Sequence, residues 1–181
     1  MGSPPGEPGR FGNETQHRVV LTEGFWMAKY EVTQKQWESV MGTTVREQRD
    51  KSDASMSLRG EGDDYPMYFV SWDEAQEFCR KAGHGLQLPT EAQWEYACRA
   101  GTEAALGSGM NLTNASVDDA AGEVAWYAGN AEGTQAVGQK PGNGWGLYDM
   151  HGNVAEWCAD GPWEYPAGGT STDPAGFWPI C

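Results

Sequence analysis

Basic residues are scarce in this chain. Its 181 residues carry 12 Lys and Arg against 26 Asp and Glu, a formal net charge of −14 with an isoelectric point near 4.4. No basic stripe exists to neutralise phosphates, which argues against nucleic acid and against an anionic membrane surface. No apolar run approaches the roughly 18 residues that span a bilayer. The opening Met1-Gly2-Ser3-Pro4-Pro5-Gly6 has neither the basic nor the apolar stretch of a secretory leader. Gly6 also stands where a myristoylation signal wants Ser or Thr. The acidic excess serves solubility and is compatible with bound cations.

Reactive side chains are also few. The four cysteines, Cys79, Cys98, Cys158 and Cys181, lie too far apart in sequence for a zinc ribbon or a Cys-x-x-Cys pair. The first three are expected to be buried free thiols. His17, His84 and His151 show no ligand-type spacing and are read as surface or turn residues. Serine-hydrolase and phosphate-loop signatures are missing. Glycosylation-type triplets begin at Asn13, Asn111 and Asn114, and they matter only in a secreted eukaryotic protein.

Large rings and turn formers are plentiful. Nine Trp, 25 Gly and 10 Pro in a chain with 39% hydrophobic residues point to one loop-rich globular domain over 1–181. Residues 19–33 read as two short strands around Glu23-Gly24. Helices are expected near 33–42, 71–83 and 90–100. Each opens on a capping box (Thr33 with Gln36, Ser71 with Glu74, Thr90 with Gln93) and each ends on a glycine. Residues 43–66 are charged and read as a long exposed loop. Residues 102–148 are expected to be mostly irregular.

Three stretches are more specific. Residues 24–34, GFWMAKYEVTQ, resemble a segment of the formylglycine-generating-enzyme family, the sulfatase-modifying factors. Residues 88–102, LPTEAQWEYACRAGT, and 144–158, GWGLYDMHGNVAEWC, are similar to two further signatures of that family, in the same order. The resemblance implies an α+β, irregular C-type-lectin-like fold, with a small twisted antiparallel sheet, two or three helices and much loop. The tryptophans of these stretches, Trp26, Trp94, Trp145 and Trp157 among them, suit the anchoring of loops.

The third stretch carries a candidate metal site. Asp149 and Glu156 flank Gly152 and Val154 in a glycine-containing turn, and oxygens at short, alternate spacing suit a hard cation. In calcium-binding members of the family, the positions matching Asp149, Gly152, Val154 and Glu156 supply side-chain, carbonyl, carbonyl and side-chain oxygens. The alternative is that the two carboxylates cap turn amides. Asn130 and Ala131 match the start of a second, weaker cation site.

The resemblance also marks what is missing. Family domains open on a strand ending in Met-Gly-Ser, so Met1-Gly2-Ser3 is expected to begin inside that phrase. They continue beyond the region matching Asp173-Pro174-Ala175-Gly176 into a segment whose two closely spaced cysteines bind copper(I). That pair activates oxygen and oxidises a substrate cysteine to formylglycine. In some members the cysteines matching Cys79 and Cys98 form disulfides with partners in that same segment. The chain is therefore expected to be a formylglycine-generating-enzyme-like domain without oxidase activity of its own. The copper chemistry would belong to a longer parent. The alternatives are an oxidase acting on a sulfatase-like protein or peptide substrate, and a module that binds a protein ligand.

Overall fold

The architecture is set by a device repeated along the chain. A computed structural model describes residues 1–10, 12–113, 118–160 and 169–174. In order its elements are β1 (Arg18–Val20), α1 (Gln34–Met41), α2 (Val45–Asp53), α3 (Trp72–Ala82), α4 (Glu91–Arg99), α5 (Asp119–Val124) and β2 (Thr170–Thr172). The helices α1 to α4 all start from a capping box, at Thr33, Thr44, Ser71 and Thr90. In each, the cap hydroxyl accepts from the N3 amide and the N3 side chain accepts from the cap amide, so two orphan donors are satisfied at once. Helix α5 uses Asp118, whose carboxylate accepts from the amides of Ala120 and Ala121.

The three expected helices are present within a residue or two of their expected ends. Helix α4 stops one residue early, because Ala100 itself takes the left-handed conformation (φ 47°) before Gly101. Helix α2 lies inside the stretch expected to be loop. Its Thr44–Glu47 box is the same signature as the others, but only Val45 and Gln48 of the helix are buried. Charge on the remaining positions hides the apolar face.

The main core gathers Trp37, Val45, Met67, Phe78 and Cys79. Trp37 from α1 lies parallel to Phe78 from α3, with ring centroids 5.3 Å apart and planes 2° apart. The Trp37 indole N–H donates to Thr43 Oγ1 at 3.0 Å, so the ring is buried without stranding its polar atom. Behind it the irregular stretch 54–70 is held by one buried side chain. Gln34 Nε2 donates to the carbonyls of Gly60 and Pro66, and Gln34 Oε1 accepts from Gly62 N.

Strand pairing differs from expectation. Among the described residues β1 pairs with β2 in parallel, Arg18 opposite Thr170 and Val20 opposite Thr172. An isolated bridge between Thr33 and Pro66 is antiparallel. No hairpin forms at Glu23-Gly24, and the partner of β1 arrives about 150 residues later. The Asp173 carboxylate seals that junction by accepting from Thr22 N at 2.8 Å and from the Thr22 hydroxyl.

The tryptophans also divide. Trp37 is buried, whereas Trp26 is fully exposed and Trp145 and Trp157 are about half exposed. All three line groove walls, and Trp157 also anchors its loop by donating to Val70 O. Among the described residues no helix is long and apolar enough to cross a membrane.

Two substitutions test this account in thermal unfolding. Trp37→Ala removes the stacked ring and is expected to cost about 3–5 kcal/mol, roughly 6–20 °C in Tm for a chain of this size. Thr44→Ala is expected to cost about 1 kcal/mol through the lost cap. An unchanged Tm for Thr44→Ala would show that α2 does not depend on its box.

Candidate functional site

The turn at 149–156 is shaped by two non-glycine residues in the left-handed region, Asp149 (φ 61°) and Asn153 (φ 73°). Asp and Asn tolerate this conformation better than other side chains. Between them, a Cβ on Gly152 would sit 2.3 Å from the carbonyl oxygen of Trp126, so only glycine fits that approach. Asn153 N donates to the same Trp126 oxygen at 2.8 Å. The turn is thereby pressed onto the 126–134 segment.

A third carboxylate joins this turn, one that sequence reasoning missed. Glu31, buried, accepts from Asn153 Nδ2 at 2.7 Å and from Val154 N at 3.1 Å. Burial pushes its pKa up to about 8, with the nearby Asp149 and Glu156 charges adding to the rise. The signal available in sequence was a lone acid in the apolar run Tyr30-Glu31-Val32.

Asp149 is buried, and its Oδ2 accepts from Gly138 N at 2.7 Å. Burial raises its pKa also. Glu156 has an exposed side chain, but protein atoms crowd its carboxyl group and raise its pKa, and the Asp149 charge adds to the effect. Its Oε2 accepts from the Trp94 indole at 3.1 Å. Among the described residues no Lys or Arg forms an ion pair with Glu31, Asp149 or Glu156.

The structure thus brings Asp149 and Glu156 into electrostatic contact across Gly152 and Val154. Among the described residues no three His, Cys, Asp or Glu side chains lie close enough to hold a metal ion between them. Any cation at this turn would draw two side-chain ligands from Asp149 and Glu156, and carbonyls would supply the others. Asn130 and Ala131 lie elsewhere, in a turn where Asn130 Oδ1 accepts from Tyr127 N and Nδ2 donates to Ala125 O. Both ends of that amide thus serve the local backbone.

The thiols occupy separate settings. Cys79 sits in the main core. Cys98, on α4, is buried, and its Sγ donates to the Met150 carbonyl at 3.4 Å. Burial pushes its pKa up to about 12. Cys158 is half-buried and also pushed up to about 12 by burial. All three are free, as expected of them. Cys181 and Asn114 lie outside the described residues.

His151 approaches Cys98 at 3.7 Å through Nδ1, the arrangement of a possible nucleophile and base. The hydrogen bonds say otherwise. Gly107 N donates to His151 Nε2 at 2.8 Å, so Nε2 carries the lone pair and Nδ1 the proton in the neutral ring. Burial also lowers the His151 pKa. Nε2 also lies 3.8 Å from the thiol, but its lone pair is taken by Gly107 N and the thiol proton by Met150 O, so the pair is a structural contact between the 149–156 turn and α4.

A groove of about 920 Å³ opens beside the turn. Phe69, Trp126, Thr134, Ala155 and Trp157 are among its walls. Phe69 holds a left-handed backbone (φ 60°), a strained state for a bulky residue. The Trp157 indole is fixed by donation to Val70 O at 2.8 Å.

Similarity to known proteins follows the same layout. The chain is 30% identical over 201 residues to the chaperone protein LppX of Paenibacillus barcinonensis, covering 81% of this chain and 64% of that protein. It is 34% identical over 131 residues to the formylglycine-generating enzyme of Mus musculus, covering 68% of this chain and 34% of the enzyme. The chain therefore spans less than two thirds of the length of either relative. In fold it is similar to the structure of PvdO from Pseudomonas aeruginosa, with a TM-score of 0.76 and 23% identity, over 100% of this chain and 74% of that one. Residues 1–172 match the profile of the sulfatase-modifying factor enzyme 1-like domain, and the chain belongs to that family.

Proposed function

We propose that this chain works as a recognition module on the formylglycine-generating-enzyme-like scaffold, taking a protein or peptide ligand and carrying out no cysteine oxidation by itself. The observation that carries this reading is the state of the thiols. Copper(I) chemistry requires converging thiolates, and Cys79, Cys98 and Cys158 sit in three different settings with their pKa values raised by burial. A thiol that titrates near 12 is ionised to roughly one part in ten thousand at pH 8. A relative described as a chaperone protein supports a polypeptide ligand, and the groove lined by Phe69, Trp126 and Trp157 offers room for one.

The test is turnover. The purified chain is incubated with a Cys-x-Pro-x-Arg peptide, copper, oxygen and a reductant, and mass spectrometry follows the loss that accompanies conversion of thiol to aldehyde. The peptide is expected back unmodified. Turnover above the metal-only control would overturn the proposal.

A companion measurement reads the thiols directly. In a Cys181→Ser chain treated with iodoacetamide at pH 8, Cys98 and Cys158 should stay unmodified while folded and react once unfolded. Alkylation of either at the rate of a free thiol peptide would mean that its burial is not as described.

We also propose calcium at the 149–156 turn, with Asp149 and Glu156 as side-chain ligands and Gly152 and Val154 supplying carbonyls. The donors are all oxygen, the Asp149 charge raises the Glu156 pKa, and among the described residues neither carboxylate has an ion-pair partner, which suits a hard cation. Calcium at about a hundred times its Kd would stabilise the folded chain by about 2.7 kcal/mol, or roughly 5–10 °C in Tm. Glu156→Ala is expected to remove that response. It is the cleaner variant, because Ala at the left-handed Asp149 position would itself be strained. A Tm indifferent to calcium in the unmodified chain rejects the site.

A further inference from the structure

A second groove, of about 680 Å³, runs between residues 19–27 and α4, apart from the turn and the thiols. Three aromatic rings stand together in its wall. Phe25 meets Tyr96 edge-on with centroids 6.4 Å apart, and Tyr96 meets Trp145 at 4.9 Å with planes tilted by 58°. Tyr96 is 54% exposed and Trp145 47%, so two adjoining ring faces are offered to solvent. Clustered exposed rings of this kind mark a recognition surface more often than an accident of packing.

The charges in the groove decide what it can recognise. Arg99 is its basic side chain, and its guanidinium is occupied: Nε donates to Glu95, Nη1 to Ala104 O and Nη2 to Gly2 O. Glu95 is occupied in turn, both oxygens accepting from Gly2 N. These two side chains neutralise each other and hold the first residues of the chain. Glu23 remains. It is exposed on the groove lip, and among the described residues no hydrogen bond or ion pair engages it. The Met1 ammonium also lines the groove, where it donates to His17 O at 3.2 Å. Glu23 is the carboxylate left for a ligand at the lip, it lies beside electron-rich rings, and the whole chain carries −14.

We propose that this aromatic groove binds an organic cation, the ammonium or guanidinium head of a basic side chain displayed by a partner protein. Ring faces attract such a cation through their quadrupole, and a carboxylate at the lip adds a screened Coulomb attraction. The long-range field of an acidic chain speeds the approach of a basic partner. The groove shares neither its walls nor its charges with the oxygen-lined turn, so this inference stands whether or not that turn takes calcium.

The experiment uses the full chain labelled with ¹⁵N and follows the Trp145 indole N–H signal. Choline and Nα-acetyl-argininamide are titrated as the cationic probes. The neutral probe is 3,3-dimethylbutan-1-ol, which has the shape of choline without its charge. The cations are expected to shift the signal saturably, and the neutral probe to bind about threefold to thirtyfold more weakly. Tyr96→Leu keeps apolar bulk but removes the ring, and should weaken the cations several-fold while leaving the neutral probe unchanged. Glu23→Gln should weaken them further and flatten their salt dependence. Unaltered positions of the other indole signals report that each variant is folded. Equal binding of choline and its neutral isostere would overturn the proposal, since the groove would then be merely apolar. Absence of a saturable shift would overturn it as well. A Trp145 shift that depends on protein concentration alone would assign the groove to a second copy of the chain.

Discussion

One buried carboxyl group joins the two halves of this molecule. Glu31 reaches from the segment ahead of α1 to Asn153 and Val154, more than 120 residues later, and takes a hydrogen bond from each. It works beside the Tyr148 amide, which donates to Lys29 O at 3.1 Å just ahead of the turn. Glu31 fixes the start of the groove wall at Val154, and the Trp157 indole fixes its far end on Val70 O. Burial favours the neutral form of such a group, whereas hydrogen bonds from an amide N–H favour the anion. Here burial outweighs the Val154 amide, so the link is made in a setting that resists charge.

That balance explains why the acidic residues of this chain fall into two populations. Many lie on the surface, where water and salt screen them, and some engage Lys or Arg in exposed pairs such as Lys35–Asp63 and Arg46–Glu61. Such pairs contribute little to stability. Glu31, Asp149 and Glu156 are instead gathered with no ion-pair partner among the described residues. Their mutual repulsion is tolerated because backbone amides and an indole donate to them. The fold thus gathers at one turn carboxyl groups whose burial favours their neutral form.

The parts of this arrangement differ in how visible they are in the sequence. Helices α1, α3 and α4 were legible because a capping box, a short apolar face and a left-handed stop all lie within a dozen residues. Helix α2 has the box but buries only Val45 and Gln48, so its pattern of apolar residues is silent. The cluster at Asp149 and Glu156 was legible through its resemblance to a family signature. Glu31 was not, since nothing in Tyr30-Glu31-Val32 states which distant amides the carboxyl will meet. The exposure of Trp26 and Trp145 was not legible for the same reason. A ring's size predicts that it will be used, but whether it faces the core or a groove depends on which segments converge around it. Strand pairing was the least legible feature, because β1 takes its partner from the far end of the chain.

The parallel pairing of residues 18–20 with 170–172 also has a consequence for the order of events during synthesis. A chain emerging from the ribosome can complete α1 to α4 and close the Trp37–Phe78 core from contacts that are near in sequence. β1 has no such opportunity, since its partner is made last among the described elements. Closing a loop of this length carries an entropic cost that grows only slowly with size, but it must be met before the pairing returns anything. The edge of β1 that meets β2 therefore stays unpaired until residues 170–172 and the Asp173 clamp behind them have been made.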